Sequence, residues 1–224
     1  GRWLAQLQSP ARLLDPGESH PLAQWFGPVL AQQLRDQPAA DAVVQSDEGP
    51  LLWQDQSEGW LLATRSQSPA RDAVDARLQE QGLTRSELDG DGEVLSVWTR
   101  LVRQRGRQPG VDAQLAVAQV SSSSLNWWGE SLMALAQRQN GRALQPLVNQ
   151  WQELASASQP VQALLLADAP ARSLLGQWRP WGLLQVMAGR PLQDQVRGLA
   201  FAVDADRLEQ GGTEIPLHAR LELG

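Results

Sequence analysis

A short apolar strand followed by a helix that begins at proline occurs three times in this chain, and this repetition constrains the fold most. The copies span residues 3–14, 60–71 and 164–175, and each carries the tripeptide Pro-Ala-Arg after its apolar run. Proline suits the first position of a helix, because its fixed φ is helical and an N–H there has no partner within the helix. Since the copies are unequally spaced, they predict repeated strand–helix units within one sheet and not a solenoid.

The residues around these units predict further helices and hairpins. Ser9 and Ser68 are good N-cap residues, whereas Ala169 is a poor one. Apolar spacing and breakers predict helices at residues 21–35, 69–81 (ending at Gly82), 126–139, 143–154 and 170–187, with an interruption at Pro180. Alternation and turn sequences predict strands at residues 51–53, 60–64, 94–102, 114–120, 196–203 and 214–223.

This order of elements predicts an α+β fold. Several strand pairs are joined too tightly to be parallel, so we expect a mixed or mainly antiparallel sheet with helices packed on one face. Ser121-Ser122-Ser123-Ser124 is a loop that suggests two α+β halves, residues 1–120 and 121–224, or one continuous domain. Because the first residue is Gly1, we expect a fragment of a longer protein from which a signal or anchor was removed.

Composition excludes several classes of chemistry. The chain has no Cys, and its 19 basic residues are all Arg. Thiol nucleophiles, disulfides, Cys-ligated metals and Schiff-base lysines are therefore excluded, and the absence of Tyr removes a tyrosine acid or base. A formal net charge of -6 argues against nucleic acid as a partner. No apolar run is long enough to span a bilayer.

The sequence contains no recognisable catalytic motif. His20 and His218 are the only histidines, and neither lies beside a Gly-x-Ser-x-Gly nucleophile motif, so we interpret both as structural or surface residues. Glycine-rich phosphate loops are absent. A two-carboxylate or metal-assisted hydrolase stays open, because 25 acidic residues offer many pairs. We expect no enzymatic activity and no cofactor.

Acidic residues around a turn resemble the first half of a calcium-binding loop. Glu87, Asp89, Asp91 and Glu93 supply alternating carboxylates, but Trp98 replaces the bidentate Glu that such a loop needs. A solvated hairpin turn is the simpler interpretation of this pattern, and weak calcium binding is the functional one.

Arginines and tryptophans provide the candidate contact surfaces. Arg103, Arg105 and Arg107 alternate along a predicted strand with Arg100 nearby, which suits either a charged edge that blocks aggregation or docking to an anionic partner. Trp25, Trp53, Trp60, Trp98 and Trp151 lie on apolar faces and are expected in the core. The pairs Trp127-Trp128 and Trp178/Trp181 are predicted on helices with at least one member of each near the surface.

Three segments resemble an uncharacterised cyanobacterial family of unknown function: Trp60 to Gln81, Leu115 to Gly129 and Val161 to Leu175. The low content of Lys, Ile and Asn and the high content of Gln, Leu and Trp are similar to those of GC-rich marine picocyanobacteria. The resemblance implies an extracytoplasmic protein with an N-terminal membrane segment and repeated α+β units, facing the periplasm or thylakoid lumen. It carries no catalytic residues.

Three functions are consistent with these observations. The leading hypothesis is a non-enzymatic protein-interaction, scaffold or assembly domain near a membrane, with the arginine run and the Trp127-Trp128 region as contact surface. The second hypothesis is a ligand-binding domain with Trp platforms for a glycan, lipid or pigment. The third is the hydrolase.

Overall fold

The chain forms ten strands and seven α-helices in the part that its structure, a computed structural model, describes. The described residues are 3–18, 21–66, 70–90, 93–104, 110–139, 149, 152–153, 160–204 and 217–224. The strands are β1 Trp3–Leu7, β2 Leu51–Gln56, β3 Gly59–Arg65, β4 Thr84–Gly90, β5 Glu93–Gln104, β6 Gly110–Ser121, β7 Leu125–Gly129, β8 Pro160–Ala167, β9 Val196–Asp204 and β10 Leu217–Leu223.

The helices are short and lie between the strands. They are α1 Pro10–Leu14, α2 Pro21–Leu34, α3 Pro38–Ser46, α4 Ala70–Glu80, α5 Leu132–Ala136, α6 Asp168–Gln177 and α7 Arg179–Ala188. Within the described residues, no helix combines the length and the hydropathy that crossing a membrane requires.

The sheet confirms the α+β class. Its ten strands follow the order β10-β9-β8-β1-β2-β3-β7-β6-β5-β4. Every pair with a described register is antiparallel. Tight hairpins such as β2–β3 and β4–β5 account for this, because a short turn can join only antiparallel strands.

The three strand–helix units of the sequence are all present, as β1–α1, β3–α4 and β8–α6. Two of the junctions share a left-handed residue, Ser9 with φ 50° and Asp168 with φ 45°. Ser9 occupies the N-cap position before Pro10, but its side chain makes no capping hydrogen bond. Its backbone carbonyl instead accepts the N–H groups of the first turn. Helix α6 begins at Asp168, two residues before Pro170.

Contacts divide the chain into two compact units whose limits differ from the halves that the sequence suggests. The first unit comprises residues 1–6, 54–57 and 141–224, and the second comprises 7–53 and 58–140. The serine run lies inside the second unit, where it ends β6 and forms the turn to β7.

The second unit contains a core beneath its sheet. The rings of Trp98 and Trp128 are both buried, with centroids 5.5 Å apart. The indole N–H of Trp98 donates to the carboxylate of Asp75 on α4 at 2.7 Å, and that of Trp128 donates to the hydroxyl of Thr64 at 3.3 Å. These bonds satisfy the polar edges of both buried rings. Trp53 and Trp60 are also buried, as predicted.

The first unit has its own core. In β8, Leu165 pairs with Leu4 of β1 and with Ala200 of β9, and all three side chains are buried. Helix α6 packs on β8 and β9 and buries Ala171 and Leu175. The apolar segment of β8 is therefore an interior strand, paired with β1 on one edge and with β9 on the other.

One predicted helix is wrong. Residues 126–139 form strand β7 and then the short helix α5, and a 3-10 turn follows at Gln137–Gln139. Ser131 caps α5 by accepting the N–H of Ala134. Strand β7 pairs with β3 on one edge and β6 on the other, so tertiary pairing and the strand preference of Trp outweigh the helical apolar spacing.

Other predictions are confirmed or lie outside the described residues. Helix α4 ends at Glu80, and Gly82 adopts φ +80° after it. Helices α6 and α7 are separated at Trp178, next to Pro180. The predicted features outside the described residues are Ser68, Pro69, His20, Asp91, Arg105, Arg107, Trp151 and most of the helix at 143–154, together with the side chain of Trp25.

Candidate functional site

The far halves of β5 and β6 form a two-stranded arm, residues 100–104 and 110–115. Strand β4 pairs with β5 only as far as Thr99, and β7 pairs with β6 only from Ala118 onward. Within the described registers, the arm is therefore paired only with itself. Among the described residues, no strand pairs with the outer edges of the arm, so these edges can accept an additional strand.

The two faces of the arm carry different side chains. Arg103 faces Val111 across the ladder, and Leu101 faces Ala113, so these four residues share one face. Leu101 is 69% exposed and Val111 is 60% exposed. A contiguous exposed apolar patch beside a guanidinium group is typical of an interaction surface.

The structure separates the predicted arginine cluster. Arg100 is opposite Gln114 and Val102 is opposite Asp112, on the face that Arg103 does not share. The Arg100 guanidinium donates to the backbone carbonyl of Gln81, at 3.5 Å, and so lies at the base of the arm. Both Arg100 and Arg103 are exposed, whereas Arg105 and Arg107 lie outside the described residues.

A cleft of about 200 Å3 lies beside the base of the arm. Gln37, Gln81, Arg100, Glu130 and Trp60 are among its lining residues. Gln37 and Gln81, two of these lining residues, each have a side-chain oxygen that is buried and has no hydrogen-bond partner among the described residues. A buried acceptor without a partner carries a desolvation penalty, which a donor group of a ligand or a water relieves.

Glu130 is fixed at the cleft by the β2–β3 turn. Its carboxylate accepts the backbone N–H of Trp60 at 3.3 Å. Gly59 makes this approach possible, because a Cβ at Gly59 would lie 2.5 Å from the Glu130 carboxylate oxygen. The neighbouring Ser131 hydroxyl donates to the Glu58 carbonyl at 2.9 Å. The cleft thus combines carbonyl acceptors, a carboxylate and a guanidinium, which suits binding of a small polar molecule.

The Trp127-Trp128 pair lies on a strand, where neighbouring side chains point to opposite faces. Trp128 is buried in the core, so a partner cannot reach its ring. Trp127 is partly buried against the apolar cluster that includes Leu61 and Val120. This pair therefore offers much less contact surface than a helical arrangement predicts.

The Trp178/Trp181 pair is divided as expected. Trp178 lies between α6 and α7 and is 52% exposed. Trp181 is buried, and its indole N–H donates to the side-chain oxygen of Gln193. Only Trp178 is accessible to a ligand or partner.

The structure disperses the calcium candidates that it describes. Glu87 pairs with Arg85 at 2.8 Å, and Glu93 pairs with Arg138. Glu93 lies opposite Gly90, on the face that Glu87 and Asp89 do not share. Among the described residues, no group of three His, Asp or Glu side chains is placed to hold a metal ion.

Comparison with models of known protein families, with curated proteins and with solved structures finds no match to this chain. The candidate surfaces therefore rest on their own geometry. Sequence reasoning identified Arg100 and Arg103 but missed Leu101, Val102 and Val111, although their apolar character within an arginine run is visible in the sequence. No sequence signal identifies Gln37, Gln81 or Glu130 as neighbours.

Proposed function

We propose that this protein is a non-enzymatic interaction domain that binds an acidic protein partner through the β5–β6 arm. The observation that carries the proposal is the arm itself, a ribbon that in the described registers is paired only with itself and exposes Leu101 and Val111 beside Arg103. A ribbon of two strands is only marginally stable in water, so a partner that covers it lowers its free energy.

Charge favours an acidic occupant. The arm and its connecting segment, residues 100–115, contain four Arg and one acidic residue, Asp112, within a chain of net charge -6. Guanidinium groups bind carboxylates in a bidentate geometry, and each such contact is stronger than a neutral hydrogen bond. A nucleic acid is disfavoured, because the acidic remainder of the chain would repel its phosphates.

The extracytoplasmic setting belongs to the same proposal. The resemblance of the sequence to the cyanobacterial family would put the interaction in the periplasm or thylakoid lumen. An assembly or scaffold role near a membrane agrees with the open binding arm of the described structure.

The test compares three baits in an extract of the source cells. The arm variant combines Leu101→Ser with Val111→Ser, and the control variant combines Leu88→Ser with Val94→Ser, which are exposed apolar residues of β4 and β5 outside the arm. We expect one acidic protein that binds the wild type and the control but binds the arm variant at least about tenfold more weakly. Binding assays with the purified acidic protein must give the same ranking of the three baits, and added salt must weaken the binding. Equal binding to all three baits, or no partner for any bait, would contradict the proposal.

A second function, binding of a small polar ligand, is favoured by the cleft and its two unpartnered glutamine oxygens. An anionic group on a ligand would pair with Arg100, and amino or amide donors on it would bond to Gln37 and Gln81 once their side chains rotate into the cleft. A thermal-shift panel of amino acids, amines and small sugars tests this function. Stabilisation that Gln81→Met removes would support it, and a panel without any hit would count against it.

A further inference from the structure

Helix α7 presents an apolar outer face that nothing in the described part of the chain covers. Five large apolar side chains are exposed in or next to this helix: Trp178 52%, Leu183 63%, Leu184 45%, Val186 78% and Met187 76%. Leu183 and Met187 are four residues apart and therefore adjacent on the helix surface. So many exposed apolar residues within ten consecutive positions are characteristic of a surface that is buried against a partner or a membrane.

The inner face of α7 is firmly attached, so the exposure of the outer face is not caused by fraying. Trp181 is buried, and its indole N–H bonds to Gln193. The amide N–H of the Gln193 side chain donates in turn to the backbone carbonyl of Arg172 on α6. The backbone N–H of Gln193 donates to the side chain of Gln185 on α7 at 3.3 Å. The helix is thus held at a fixed orientation with Leu183 pointing outward.

The charged side chains within α7 and directly beside its ends are arginines, and the exposed acidic residues Asp168 and Asp194 lie further along the chain. No Asp or Glu occurs between Ala169 and Gln193, although the whole chain has a net charge of -6. Arg179 begins the helix, and Arg190 follows its C-terminal Gly189; both side chains are exposed. An apolar helix face flanked by Arg and an exposed Trp matches the interfacial region of a membrane, where the ring and the guanidinium groups reach the headgroups.

We propose that α7 is a monotopic membrane-docking helix that inserts its outer face into the surface of an anionic lipid bilayer. Leu183, Val186 and Met187 enter the boundary between headgroups and acyl chains. Trp178 lies at the headgroup level, and Arg179 and Arg190 bind lipid phosphate or carboxylate groups. This site is separate from the arm, and the inference does not depend on the arm having a partner.

Vesicle sedimentation of the 224-residue chain tests the inference. We expect the chain to bind vesicles that mix phosphatidylcholine with phosphatidylserine, and to bind pure phosphatidylcholine more weakly. Leu183→Ser with Met187→Ser should weaken binding to the mixed vesicles at least about tenfold. Arg179→Gln with Arg190→Gln should weaken binding to the mixed vesicles about thirtyfold, because each Arg near an anionic membrane surface strengthens binding about five- to sixfold.

Matched controls separate docking from general effects of substitution. Leu88→Ser with Val94→Ser removes two other exposed apolar groups, and Arg35→Gln with Arg65→Gln removes two other exposed charges. Both controls should bind vesicles like the wild type. Circular dichroism confirms that each variant is folded, and the charge variants keep the test decisive if the serine variants unfold.

Position in the bilayer is measured by quenching of Trp fluorescence with brominated lipids. Trp178→Phe should reduce the quenching of the wild type, because Trp178 is the exposed ring beside α7. The inference is overturned if the wild type binds neither kind of vesicle, or if the α7 variants bind as strongly as the wild type. The arm variant, Leu101→Ser with Val111→Ser, should bind vesicles normally, so failure of the arm proposal and failure of this inference are distinguishable.

Discussion

Replacement of Gly59 by Ala tests how the turn before β3 fixes the cleft. Gly59 has φ +112°, a conformation that residues with a Cβ rarely adopt. An added Cβ would also lie 2.5 Å from the Glu130 carboxylate oxygen and 3.0 Å from the Cβ of Glu130. The substitution therefore strains the backbone and displaces the carboxylate from the Trp60 N–H.

These two costs can be separated. Backbone strain of this kind costs about 1–3 kcal/mol, and loss of a hydrogen bond by the Trp60 N–H costs about 1 kcal/mol more. We expect Gly59→Ala to lower the free energy of unfolding by about 2–4 kcal/mol in urea titrations followed by Trp fluorescence. In a Glu130→Ala background, the same substitution should cost about 1 kcal/mol less, because the clashing side chain is gone.

Gly82→Ala is the matched control for backbone strain. Gly82 has φ +80°, but nothing lies within 4 Å of an added Cβ. Its cost should be the same with Glu130 present or absent. A neutral Gly59→Ala, or a destabilisation that stays the same when Glu130 is removed, would contradict the close approach of Glu130 to Gly59.

Three further outcomes are expected. Gly27→Ala should destabilise by about 2–4 kcal/mol in the same titrations, because its Cβ would lie 2.2 Å from the backbone oxygen of Leu13; a neutral result would contradict the close crossing of α1 and α2. Trp98→Phe should lower the free energy of unfolding by about 2–3 kcal/mol, since it removes the hydrogen bond to Asp75 and leaves a cavity at a buried ring; a loss no larger than that of a surface substitution would contradict this core. Amide hydrogens of the arm should exchange on the order of 100-fold faster than those of the adjoining ladder, and equal protection would contradict an arm paired only with itself.

Local patterns in the sequence predicted much of the fold because they act within a few residues. Proline and glycine positions located the start of α1 at Pro10, the break between α6 and α7 next to Pro180 and the end of α4 before Gly82. The helix expected at residues 126–139 failed because β7 is defined by pairing with β3 and β6, which are distant in sequence. A one-dimensional apolar pattern does not contain that pairing.

The candidate surfaces were predictable only in part. Alternation placed Arg103 on an exposed strand, but the registers of β4 and β7 were needed to show that the strand continues beyond its neighbours. Helix α7 is apolar around most of its circumference, so its sequence does not indicate whether Trp181 or Leu183 is buried. The cleft joins Gln37, Gln81 and Glu130, whose proximity depends on tertiary packing.

Site-specific photo-crosslinking from the arm tests the central claim most directly. A photoreactive residue is placed at Leu101 or Val111 in the arm, and at Leu88 or Val94 as exposed controls outside it. In native extract, the two arm positions should crosslink to the same acidic protein, and the control positions should not. Identical crosslinking from all four positions, or no protein crosslinked from the arm, would contradict the proposal that the arm is a binding surface.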